Sequence, residues 1–197
     1  SYVLHDEIYR GLEWDKPFSS LQAVNVYQKA VATNSLSKTL GFDGLRVGWL
    51  ATKDKKLLAR CKAINEWYHM GEQGISVLSK TVASAALKQN KFTQLLDHSR
   101  KIGQKCWNIL AEWMADHKDV FDWKKPEAAF LSFPRYHLEI GSWEFCEKLA
   151  AEPYKTTMLP GIIYGFEKHM RLGVGNETPE NVRQGLKQLH KLITNLK

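Results

Sequence analysis

The run Ser35-Leu36-Ser37-Lys38-Thr39-Leu40-Gly41-Phe42-Asp43-Gly44-Leu45-Arg46-Val47-Gly48-Trp49 constrains this chain more than any other stretch, because it gathers two serines, a lysine and an arginine around glycines. A lysine amine can add to a carbonyl, hydroxyls can donate to phosphate oxygens, and a guanidinium can grip a phosphate through two parallel hydrogen bonds. That combination suits a phosphorylated aldehyde. Gly41 and Gly44 are where the backbone is expected to turn tightly between these groups. A lone Ser-Lys or Gly-x-Arg would be ordinary polar surface; here the elements come together.

Hydrophobic patterning around the run points to strands followed mostly by helices. Residues 2–9 and 23–31 read as strands, with a loop carrying Trp14, Pro17 and Phe18 over Gly11 to Ser20, and Arg46 to Thr52 reads as a third strand. Asp54 is placed to cap a helix through Leu57, Leu58, Cys61 and Ile64, and an Ala-rich helix is expected over about Ser76 to Gln89. Helical spacing then runs from Phe92 through Leu95, Leu96, Cys106, Leu110, Trp113 and Met114 to about His117, a length suited to joining two domains. Short strands follow around Ala128 to Phe133 and His169 to Gly173. In the last helix Thr178 is the cap, Pro179 suits the first turn, and Val182, Leu186, Leu189, Ile193 and Leu196 line one face.

Bulk properties exclude several classes. The 197 residues, 44% apolar and 25% charged, have ordinary globular composition. The net charge of +7 is scattered, with short clusters such as Lys53 to Lys56 and Lys124-Lys125, so nucleic-acid binding is not expected. Cys61, Cys106 and Cys146 form no close pair, which fits a reducing cytoplasm. No apolar run approaches the roughly twenty residues that span a bilayer, and the start does not read as a leader. A soluble protein is expected, one that begins inside a buried strand at Tyr2-Val3-Leu4. Gly173-Val174-Gly175 lacks the third glycine of a dinucleotide loop, and His137-Leu138-Glu139 lacks the cysteine pair of a zinc deaminase. The histidines are dispersed, and no metal is expected.

The opening run resembles the cofactor-lysine region of the class I/II aminotransferases, pyridoxal-phosphate enzymes of fold type I, whose pattern is S-x-S-K-x-x-G-x-x-G-x-R-x-G. Asp6-Glu7-Ile8-Tyr9 resembles the D-E-x-Y that precedes that lysine, and Arg171-Leu172-Gly173 resembles the family's later Arg-aliphatic-Gly segment. Leu159-Pro160-Gly161-Ile162-Ile163-Tyr164-Gly165 looks like its P-G-x-x-aromatic-G loop, and Ala128 to Arg135 like the strand before it.

The resemblance implies an α/β chain: part of the fold type I large domain, a mostly parallel sheet with one antiparallel strand, followed by a small α+β C-terminal domain. The implied boundaries are 1–90 for the cofactor-binding part, 91–118 for a long interdomain helix and 119–197 for the small domain. It implies pyridoxal 5'-phosphate as cofactor and Lys38 as both Schiff-base residue and proton carrier at the substrate Cα. Asp6 would keep the pyridine nitrogen protonated and Tyr9 would donate to the phenolic oxygen. Ser35 and Arg46 would hold the phosphate, with Ser37 a weaker third because neighbouring strand side chains face opposite ways. Thr39 and Phe42 have no assigned role. Arg171 would pair with the substrate α-carboxylate, with Tyr164 lining the substrate pocket.

The implied reaction exchanges an amino group between an amino acid and a 2-oxo acid, in a cytoplasmic homodimer. A carbon-sulfur β-lyase or a cyclising synthase on the same scaffold is the alternative, as is a catalytically incomplete fragment that only binds or scaffolds. The stretch Tyr68 to Ser79 resembles a loop that reaches the neighbouring subunit's site. No arginine lies between Cys61 and Ser99, which mildly disfavours aspartate or glutamate as the donor, although Lys80, His69 or a residue outside this chain could substitute. The match covers only the C-terminal half of such an enzyme, so a missing N-terminal half is expected to supply the rest of the site.

Overall fold

Ala30-Val31-Ala32 is buried on both faces and forms the centre of the first sheet, which is why its strand shows no alternation. The computed structural model describes residues 1–14, 22–68, 74–175 and 177–196. They fall into two compact units, Ser1–Arg100 and Lys101–Lys197. Most of the expected 11–20 loop, and His69 with its neighbours through residue 73, lie outside the described residues.

In the first unit, β1 (Val3–Asp6), β2 (Ala30–Ser35) and β3 (Gly48–Thr52) form a sheet in that order, β1 parallel and β3 antiparallel to β2. The strand expected over residues 23–31 is corrected: Gln22–Val26 is a short helix, α1, and the strand starts at Ala30 after a turn in which the Ala30 amide bonds the Tyr27 carbonyl at 3.1 Å. The alternation that suggested a strand there is weak, and burial places the true one later. Tyr2, Val3 and Leu4 are exposed, which corrects the buried strand expected there. Helices α2 (Lys55–Tyr68), α3 (Val77–Ala86) and α4 (Gln89–Asp116) follow. The Asp54 carboxylate accepts from the Lys56 and Leu57 amides, and the Ser76 hydroxyl from the Ser79 amide, so both ends are capped by side chains.

The run between β2 and β3 is held by its own apolar residues. Leu36, Leu40 and Val47 are buried against Ala83 and Ala86 of α3, with Phe92, Leu95 and Leu96 of α4 packed on them. Burying Leu36 and Leu40 carries Ser37, Lys38 and Thr39 around a turn in which Lys38 is exposed and Thr39 buried. The Thr39 hydroxyl lies 3.0 Å from the Arg10 carbonyl and 3.3 Å from that of Ile8, so this turn is tied to the one following β1.

In the second unit, β4 (Phe121–Asp122) pairs antiparallel with β6 (Arg135–Tyr136). A second antiparallel sheet runs in the order β5 (Leu131–Ser132), β8 (Met170–Gly173), β7 (Leu159–Pro160). Helix α5 (Ser142–Ala150) and helix α6 (Pro179–Leu196) complete it, the latter capped by Thr178 through the Asn181 amide. Val182, Leu186, Leu189 and Ile193 are the buried stripe of α6, in register with the expected face. Trp107, Leu110, Tyr136, Phe145, Leu149 and Met170 fill the core. Gly103 of α4 lies against Phe130 so closely that an added Cβ would overlap the ring.

Two stability outcomes follow from this packing. Thr39→Val keeps the volume and strands two carbonyl contacts, and is expected to cost about 1–3 kcal/mol in urea unfolding, with Thr39→Ser recovering most of it. Gly103→Ala should gain about 1 kcal/mol of helix propensity but lose more to the clash with buried Phe130, lowering the unfolding midpoint overall.

Candidate active site

Parallel pairing of β1 and β2 brings their C-terminal ends to one sheet edge, with Asp6 opposite Thr33 and Ser35 two residues further along. An open α/β sheet presents its ligand crevice at such an edge. Asp6 is exposed, and one of its carboxylate oxygens accepts from the Ile8 amide at 3.0 Å, which bends the chain away from the strand. Next to it, Glu7 is buried and structural: its carboxylate accepts from Arg10 at 2.9 Å and faces His5 Nδ1 at 3.2 Å. Tyr9 is half-buried in the turn closed by Arg10 N–H to Glu7 O and Leu12 N–H to Tyr9 O, both 2.9 Å. Arg100 of α4 reaches the same turn, donating to the Gly11 carbonyl at 2.7 Å.

Across from this turn stands the lysine loop. The Ser37 amide donates to the Ser35 hydroxyl oxygen at 3.1 Å, and Phe42 N–H closes the loop on Leu36 O at 3.1 Å. β2 ends at Ser35, so strand alternation no longer governs Ser37, which sits in the turn beside Lys38. Among the described residues no hydrogen bond or ion pair engages the Lys38 amine, which is exposed. Ser35 faces Gly48 across the ladder, and the Leu36 amide bonds the Val47 carbonyl at 3.2 Å, which brings the Arg46 backbone to the same end.

One detail of the turn departs from expectation. Gly41 has φ +71°, as a tight turn requires, but Gly44 lies in an ordinary 3-10 turn (Asp43–Leu45), and the second left-handed residue is Arg46 itself at φ 54°. Its Nη1 donates to the Asp43 carbonyl at 3.1 Å, which helps to hold the unfavourable conformation. Thr39, to which sequence alone gave no role, joins the Asp6–Tyr9 turn to the Lys38 loop; a threonine in a polar run gives no local sign of partners about thirty positions away. A cleft of about 320 Å³ opens beside Ser35 and Thr39, walled by Arg10, Glu13, Asn34, Trp49 and Arg100.

In the second unit Arg171 lies on β8, opposite Leu159 of β7, and its Nη1 donates to the Tyr164 hydroxyl oxygen at 2.7 Å. The cysteines offer no competing nucleophile there. Burial pushes the Cys146 thiol up to about 11, and burial followed by the nearby Glu177 carboxylate pushes that of Cys106 up as well. Among the described residues no group of three or more histidine, cysteine or acidic side chains could hold a metal ion, and no helix is long and apolar enough to cross a membrane.

Comparison with known proteins identifies the family. The family model "Aminotransferase class I and II" matches residues 1–189. A capreomycidine synthase of Streptomyces vinaceus is 25% identical over 183 residues, covering 86% of this chain and 44% of that protein. A (5-formylfuran-3-yl)methyl phosphate transaminase of Methanocaldococcus jannaschii is 24% identical, covering 98% of this chain and 50% of its own length. The crystal structure of a PLP-dependent aminotransferase from Streptococcus suis superposes with a TM-score of 0.88 at 24% identity, over all of this chain and 50% of that one. The chain thus spans about half the length of the curated relatives it matches. With a match over nearly its whole length, the chain belongs to the class I and II aminotransferase family, whose members are fold type I enzymes with pyridoxal phosphate as cofactor.

Proposed function

We propose that this chain is the lysine-bearing half of a pyridoxal-phosphate aminotransferase that moves an amino group between an amino acid and a 2-oxo acid. The observation that carries the reading is the convergence, at one sheet edge, of the exposed Asp6 carboxylate, the Tyr9 turn and the exposed Lys38 amine, with Thr39 tying the two turns together. The donor set fits the cofactor: a carboxylate for a pyridine nitrogen, a phenol for a phenolic oxygen, an amine for an aldehyde, and two hydroxyls with a guanidinium for a phosphate. When bound, pyridoxal phosphate supplies an aldehyde for the amine and a protonated ring that draws electrons from the substrate Cα.

Each residue then has a defined task. Lys38 anchors the cofactor through its amine and, once displaced by substrate, carries the proton at Cα. Asp6 holds a proton on the ring nitrogen, since a neighbouring negative charge favours the charged form. Tyr9 donates to the phenolic oxygen. Ser35, whose oxygen already accepts from the Ser37 amide, keeps its own hydroxyl proton for phosphate, and Ser37 and Arg46 add the remaining donors. Arg171, with Tyr164 beside it, receives the substrate carboxylate.

Residues 119–197 are the family's small domain in this reading, entered through residues 91–118 as the interdomain helix. A missing N-terminal half and a second subunit of the family's typical homodimer complete the site, in the cytoplasm. The absence of arginine between Cys61 and Ser99 favours a donor without a second carboxylate.

Borohydride reduction of the chain loaded with pyridoxal phosphate, followed by peptide mapping, tests the central assignment. The reduced pyridoxyl group is expected on Lys38, and Lys38→Ala should abolish both the adduct and the visible absorbance; an adduct on another lysine would overturn it. With the other half supplied, amino-group transfer should depend on added 2-oxo acid and release no ammonia, the reverse of a lyase.

A further inference from the structure

Arg171 is held by a built support. β7 pairs with β8 so that Leu159 faces Arg171, and the chain then folds back through the 3-10 turn Gly161–Tyr164. Gly161 makes the return possible: its amide bonds the His169 carbonyl at 2.8 Å, and an added Cβ would run into the Phe166 carbonyl and His169. The turn delivers Tyr164 to Arg171, with the hydroxyl accepting from Nη1 at 2.7 Å and the guanidinium carbon 5.9 Å from the ring centroid. Phe133 buttresses the tyrosine edge-on at 5.7 Å and itself stacks on His169 at 5.1 Å.

We infer that Tyr164 is a positioning residue for the carboxylate clamp, fixing the Arg171 guanidinium by its Nη1 so that the side-on edge formed by Nε and Nη2 is left for the substrate carboxylate. A guanidinium has five N–H donors in a rigid fork, and pinning one corner sets the plane of the other two nitrogens. Pinning also removes rotamer freedom that carboxylate binding would otherwise have to remove, so the gain appears as affinity. The role rests on Arg171 receiving the carboxylate, as proposed above; Tyr164 acts through it, and Phe133 holds Tyr164 in turn.

The test needs no catalysis. In the ¹⁵N–¹H spectrum of the labelled chain with the other half supplied, the Arg171 Nε–H signal, assigned by its loss in Arg171→Lys, is followed during titration with propionate. In wild type the signal should shift with saturation, and Tyr164→Phe, which keeps the ring but not the hydroxyl, should need about tenfold more propionate at unchanged unfolding midpoint. Phe133→Ala should lie between the two. If Tyr164→Phe titrates like wild type while Tyr164→Leu does not, Tyr164 is packing alone and the inference fails. If the wild-type signal never responds, Arg171 is not the carboxylate clamp, and the functional reading fails with it.

Discussion

Burial of Leu36 and Leu40 on either side of three polar residues is the constraint on which the rest of the first unit depends. Each leucine contributes on the order of 1.5–3 kcal/mol when removed from water. Together they force the intervening residues into a turn whose direction is not negotiable: Thr39 goes inward to two carbonyls, and Lys38 is left outside. The chemistry of the amine is therefore set by the packing of its neighbours. A lysine on an unanchored loop would have the same functional group and far more conformations to search before meeting a carbonyl.

The two units solve different problems with the same economy. In the first, a buried central strand carries polar groups to its end, and α3 packs on the lysine loop through alanines small enough for close approach, Ala83 and Ala86. In the second, two-residue and four-residue strands make little sheet, and large side chains such as Trp107, Tyr136 and Phe145 supply the core instead. Arg171 thus stands on a short strand stiffened by aromatic neighbours, where a longer ladder would otherwise do the stiffening.

What the sequence made legible was local. The caps at Asp54 and Thr178 work within three residues, and the α6 stripe repeats at helical spacing, so both could be read directly. The spacing of Asp6, Lys38, Arg46 and Arg171 was legible through a family pattern, which carries long-range information that no single window holds. The start of β2 was not legible, because a strand buried on both faces has no alternation to distinguish it from its surroundings. Nor was the Thr39 tie, or the hold of Tyr164 on Arg171: each depends on backbone that only the finished fold brings near.

Arg46 adds a different kind of consequence. A non-glycine residue in the left-handed region costs on the order of 1–2 kcal/mol, and glycine at that position would relieve it. In the proposed role of Arg46 as a phosphate contact, thermal robustness and cofactor grip pull this residue in opposite directions. Engineering that optimises melting temperature alone would converge on glycine there and erase the guanidinium, and with it the proposed hold on an anion. The strained backbone at Arg46 is then a place where stability is given up to keep a charge.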